Sequence, residues 1–67
     1  MKNTIKVERA KQNITQGELA EKANVSRQTI NAIELGKFIP STLLALKIAR
    51  IFGTTVEQLF TLEPHDE

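Results

Sequence analysis

Arg27, Gln28 and Asn31 stand close together, interleaved with Ile30 and Ile33. At about 100° per residue on a helix, Arg27, Asn31 and Leu35 fall on one side with Gln28 and Ala32 beside them, while Ile30 and Ile33 lie opposite. The outward face at the front of such a helix carries a guanidinium and two carboxamides. These groups have the geometry for base edges: arginine bidentate to guanine, glutamine or asparagine bidentate to adenine. A face meant only for solubility would favour lysine and glutamate.

The elements that must hold this face are marked by regular punctuation. Thr15 followed by Glu18, and Thr55 followed by Gln58, both fit the capping box, in which a hydroxyl and a carboxylate or amide satisfy orphan N–H groups at a helix start. Ser26 and Ser41 are N-cap types, and Gly36 and Gly53 sit where the following helices should end. The pattern predicts five helices, near 4–12, 16–23, 27–35, 42–52 and 56–60, joined by connections of two to six residues. This is an all-α bundle with no internal repeat. Residues 1–4 and 60–63 are helix-poor and could pair as a minimal β-ribbon. If helices 2 and 3 cross steeply, the residue at the crossing must be small, and Ala20 stands there. Leu19, Ala23, Val25, Ile30 and Ile33 then share a core. The turn Asn24-Val25-Ser26 needs a residue that tolerates positive φ, for which Asn is the best choice after glycine.

The chain has 67 residues, which allows one domain, with a core over 5–60 and an acidic tail over 61–67. Apolar residues at 40% and charged residues at 25% exclude the composition of a disordered chain. There is no cysteine, hence neither a disulfide frame nor a thiolate metal site. No segment reads as a signal peptide or membrane span, and a soluble, cytoplasmic protein is expected. The net charge of +1 hides an asymmetry: residues 1–53 carry all nine Lys and Arg against four Glu, whereas residues 54–67 carry only Glu57, Glu63, Asp66 and Glu67. The first segment can hold a polyanion while the tail points elsewhere or is simply solvated.

The stretch TQGELAEKANVSRQTINAIELGKFIPS, continuing into LALKIARIFGTTVEQLF, resembles the Cro/C1-type (XRE) helix-turn-helix family, over residues 5–60, and most of all its short stand-alone dimeric members. The resemblance implies a five-helix lambda-repressor-like DNA-binding domain, a homodimer on a near-palindromic operator, and control of transcription, with repression the expected sense. Gln16 matches the family's phosphate-contacting glutamine, at a helix start whose N–H groups and dipole suit an anion. Arg27, Gln28 and Asn31 match its base-reading positions, and Ser26, Thr29 and Ala32 are candidates for phosphate or thymine-methyl contact. Lys37 matches the backbone-touching loop after the recognition helix. The chain departs from the family pattern at Glu8, Leu35 and Thr42, none of them in the base-reading set.

Arg9 lies on the inward side of helix 1, four residues after Ile5, and Glu34 lies at the core boundary beside Ile30. They are expected to pair, as the corresponding family positions do. Helix 4 holds more apolar residues than one core face can use. Leu44, Ala45, Ile48, Ala49 and Phe52 make the inward stripe, leaving Leu43, Leu46 and Ile51 in excess. Ile39, Pro40, Val56 and Phe60 flank that region, and in similar proteins this area meets its copy across a twofold axis.

Catalysis finds no footing. The single histidine, His65, lies in the tail among Pro64, Asp66 and Glu67, with no serine or cysteine nucleophile beside it and no fixed metal geometry. No cofactor, metal, small-molecule ligand or membrane partner is expected. The rival reading is a protein-interaction module of the antitoxin or anti-repressor type, which the salt dependence of DNA affinity would separate. With three Phe and no Tyr or Trp, single-strand binding lacks a stacking platform.

Overall fold

Four hydroxyl side chains start four of the five helices. In the computed structural model, which describes all 67 residues, the helices are α1 (Ile5–Gln12), α2 (Gln16–Ala23), α3 (Arg27–Glu34), α4 (Thr42–Phe52) and α5 (Val56–Leu59). Thr15, Ser26, Ser41 and Thr55 each accept, through the side chain, the N–H three residues on. At Thr15 the capping box is complete, because the Glu18 carboxylate also accepts the Thr15 N–H at 2.9 Å. That bond and the Thr15 hydroxyl hold the Glu18 pKa below the ordinary carboxylate range.

The second expected box, at Thr55, is only half built. Gln58 does not reach back to its cap residue; its carbonyl oxygen accepts the Thr54 hydroxyl at 2.7 Å. Helix ends are equally local in origin. Asn24 turns into the left-handed region (φ 60°) as expected, and Asn13 does the same after α1 (φ 55°), a turn with no glycine signal. Gly53 ends α4 at φ 68°. α3 stops at Glu34, one residue earlier than its periodicity suggests, which lengthens the following connection to residues 35–41.

Packing follows the apolar stripes. Leu19, Ala20 and Ala23 of α2, Ile30 and Ile33 of α3, and Leu44, Ala45, Ile48, Ala49 and Phe52 of α4 are buried in one core with Ile5, Leu59 and Phe60. Ala20 has the small side chain that a close α2–α3 approach needs, and Val25 seals the turn between them from a half-buried position. Of the three surplus residues on α4, Leu43 and Leu46 do face out, but Ile51 does not: it packs against the core. No helix is long and apolar enough to cross a membrane.

The chain ends form the ribbon. β1 (Lys2–Asn3) pairs antiparallel with β2 (Phe60–Thr61), Lys2 opposite Thr61 and Asn3 opposite Phe60. Asn3 does more than pair: its Oδ1 accepts the Ile5 N–H at 3.2 Å, and its Nδ2 donates to the Ile33 carbonyl at 2.9 Å, tying the start of α1 to the end of α3. Beyond β2, Pro64–Asp66 make a 3₁₀ turn. The Met1 α-amino group sits 3.0 Å from both Glu63 and Asp66, so two of the tail's acids are engaged rather than freely solvated. The Glu63 N–H and that amine hold the Asp66 pKa below its usual range.

Candidate nucleic-acid interface

The starts of α2 and α3 come together on one face. A Cβ placed on Gly17 would lie 4.0 Å from Cδ of Arg27. Thr15, Gln16 and Gly17 at the start of α2 share a polar concavity with Arg9 and Arg27. The start of α2 and the Arg27 side chain thus border one open hollow, an arrangement that favours an anion.

Arg27, Gln28 and Asn31 are all exposed along the front of α3, on the side away from the buried Ile30 and Ile33. No acidic side chain occupies the first turn of α3. Among the neighbouring candidates, Ser26 is bound to its own helix: its hydroxyl accepts the Thr29 N–H at 3.1 Å and pairs with the Thr29 hydroxyl at 2.9 Å. Thr29 and Ala32 are half-buried, and Lys37 is exposed in the loop after Gly36. Phe38, next to it, is also exposed.

Glu34 would repel phosphate if it stood free, but it does not. Arg9 grips it in a fork, Nε to Oε2 at 2.7 Å and Nη2 to Oε1 at 3.0 Å, while the Arg9 Nη1 donates to the Ile14 carbonyl at 3.2 Å. The side chains are 16% and 7% exposed, so the pair is largely shielded. Burial by itself would raise the Glu34 pKa. Hydrogen bonds from Arg9 and then Gln16, with the charges of Arg9 and Lys6, outweigh burial and hold it below the ordinary glutamate value.

Gln16 has a part that spacing could not show. Its Nε2 lies 3.1 Å from Glu34 Oε1 and 3.1 Å from Asn31 Oδ1. Both hydrogens of its side-chain amide are therefore used inside the protein, and the donors left at the start of α2 for an incoming anion are backbone N–H groups. Eighteen residues separate Gln16 from Glu34, and no periodicity links positions on two different helices.

A second surface lies at α4 and α5. Ile39, Pro40, Ala45, Leu46, Val56 and Phe60 line an apolar hollow of about 370 Å³. Its members differ in kind. Ile39 is 63% and Leu46 55% exposed, whereas Pro40 is buried, Phe60 belongs to the chain's own core and Val56 packs against that core. Any partner on this surface would meet Ile39 and Leu46 first.

The chain matches the helix-turn-helix family model over residues 5–59. It is 56% identical over 63 residues to an uncharacterised HTH-type transcriptional regulator of Methanocaldococcus jannaschii, a match covering 94% of this chain and 96% of that one. Over 63 residues it is 48% identical to the uncharacterised HTH-type transcriptional regulator YgzD of Bacillus subtilis, again covering 94% and 96%. With an uncharacterised HTH-type transcriptional regulator of Archaeoglobus fulgidus it shares 46% identity over 66 residues, covering 98% of this chain and 93% of that one.

Proposed function

Since this chain belongs to the helix-turn-helix family, we propose that it is a sequence-specific regulator of transcription, a repressor that binds a near-palindromic operator in duplex DNA as a homodimer. The observation that carries the reading is the exposed set Arg27, Gln28 and Asn31 at the front of α3, beside the converging starts of α2 and α3. α3 enters the major groove, where those side chains meet base edges. Backbone N–H groups of Gln16 and Gly17, with Ser26, Thr29 and Lys37, meet the flanking phosphates, and Ala32 is the candidate for contact with a thymine methyl. Repression asks least of such a domain, because occupying the operator is enough to block it.

Selection of preferred duplexes from a random pool, followed by titration at several salt concentrations, tests this reading. Six phosphate contacts would lower affinity by about a thousandfold between 50 and 200 mM salt. Failure to bind any duplex in dilute buffer, or binding indifferent to salt, overturns it and leaves the protein-interaction module.

The homodimer forms over the apolar hollow. Ile39 meets its copy there, above a floor that includes Pro40, Val56 and Phe60, setting two recognition helices about 34 Å apart, one turn of DNA. Ile39→Asp is the discriminating substitution, because Ile39 is exposed in the monomer whereas Val56 supports the core. The variant is expected to keep its helical circular dichroism, sediment as a monomer where the parent is a dimer, and lose most affinity for the full operator. A dimer that survives places the interface elsewhere.

A further inference from the structure

We propose that Asn31 reads a purine through its N7 atom, because Gln16, backed by Glu34 and Arg9, holds the Asn31 amide with its N–H₂ group turned toward the DNA. This rests on the DNA-binding reading above and specifies the hydrogen-bond polarity at one of its positions.

The polarity follows from which groups can only donate and which can only accept. The Arg9 guanidinium has donors alone, and the Glu34 carboxylate, ionised and held so by Arg9, has acceptors alone. The Gln16 atom facing Glu34 Oε1 must then be its amide nitrogen. That same nitrogen faces the Asn31 side chain at 3.1 Å, with one hydrogen left to give. Asn31 must answer with its carbonyl oxygen, so its nitrogen is the end left for a ligand. Were Asn31 to flip, two N–H groups would oppose each other and the Gln16 bond would be lost.

An asparagine free to rotate could present either end to a base. Held this way, it presents two donors. Along the major groove, purine N7, guanine O6 and thymine O4 accept, whereas cytosine offers only its N4 amino donor. Cytosine, with no acceptor of its own there, is excluded; N7 is the acceptor shared by both purines, and it is N7, rather than thymine O4, that Asn31 is proposed to meet. Adenine and guanine are both admitted, in contrast to the adenine pairing expected of a free asparagine. Gln16, Glu34 and Arg9 touch no base in this scheme; they are positioning residues.

On the selected operator, the base faced by Asn31 is the one whose preference disappears in Asn31→Ala. Replacing the purine there by its 7-deaza analogue keeps base pairing and exchanges N7 for C–H. The parent protein is expected to lose about five- to tenfold in affinity on that change, as for one lost hydrogen bond, and Asn31→Ala to lose nothing further. Gln16→Met, which keeps side-chain length and removes both donors, is expected to accept cytosine at that position nearly as well as purine. Glu34→Gln should relax the same preference; if it does not fold, Gln16→Met, at the edge of the pair, still decides. A cytosine at the Asn31 position, indifference to the 7-deaza change, or an unaltered preference in Gln16→Met overturns the proposal while specific, salt-sensitive binding elsewhere in the site leaves the regulator reading standing. Absence of any duplex binding overturns both.

Discussion

Arg9→Met is expected to destabilise the protein by about 3 kcal/mol at neutral pH, near the low end for breaking a buried pair because the pair keeps some exposure. The substitution retains most of the stem and removes the charge, leaving Glu34 ionised at the boundary of α3 with only Gln16 to bond it. For a domain of this size the melting temperature should fall by roughly 12 to 24 °C, a large share of its total stability. The effect carries a pH signature. In the parent protein the Glu34 pKa is depressed, so its contribution is complete above the ordinary glutamate value of about 4.3 and is lost as pH falls through the lower folded value. Without Arg9, burial dominates and the folded pKa moves up, so acid relieves the variant while it weakens the parent. The difference between their melting temperatures should narrow from pH 7 toward pH 3. A gap that stays constant would mean that Arg9 stabilises by the packing of its stem.

The second large effect concerns DNA. Arg27→Ala removes the one guanidinium on the exposed front of α3, a group suited to bidentate contact with guanine O6 and N7. Each half-site should lose about 1 to 3 kcal/mol. The two half-sites of a dimer are far enough apart for the losses to add, giving about 2 to 6 kcal/mol on the full operator. One base position per half-site should lose its preference while the others keep theirs. The fold should be indifferent, because Arg27 is exposed and its helix is capped independently by Ser26. Quantitative binding to the operator and to its single-position variants, with a thermal melt of the variant, measures both. An unchanged preference at every position would remove Arg27 from the reading set.

The parts of this structure that were legible in advance are those whose cause lies within a few residues. Thr15, Ser26, Ser41 and Thr55 mark helix starts because a hydroxyl can reach the N–H three residues on from wherever it stands. The inward stripe of α4 is legible because the helical period alone decides which side chains share a face. What depends on a second element was legible only in part, the Arg9–Glu34 pair through the family resemblance. Gln58 had two hydroxyl neighbours to choose between, and it took Thr54. Pro40 and Phe60 are apolar, but composition does not say whether an apolar side chain covers its own core or a partner's surface. The link from Gln16 to Asn31 and Glu34 joins two helices through one amide, and its geometry exists only after they pack. Asn3 and Met1 hold α3 and the tail from the far end of the sequence in the same way.

The ribbon bears on the order of folding events. The connections between helices are short, so most packing joins neighbours along the chain, a topology that favours rapid collapse. The pairing of Lys2–Asn3 with Phe60–Thr61 spans a much greater sequence distance, since it closes a loop of nearly the whole polypeptide. Such closure carries its full entropic cost unless the helices have already brought the two segments together. The clasp is therefore expected to form late, so that substitutions in it speed unfolding more than they slow folding, which a comparison of folding and unfolding rates would measure.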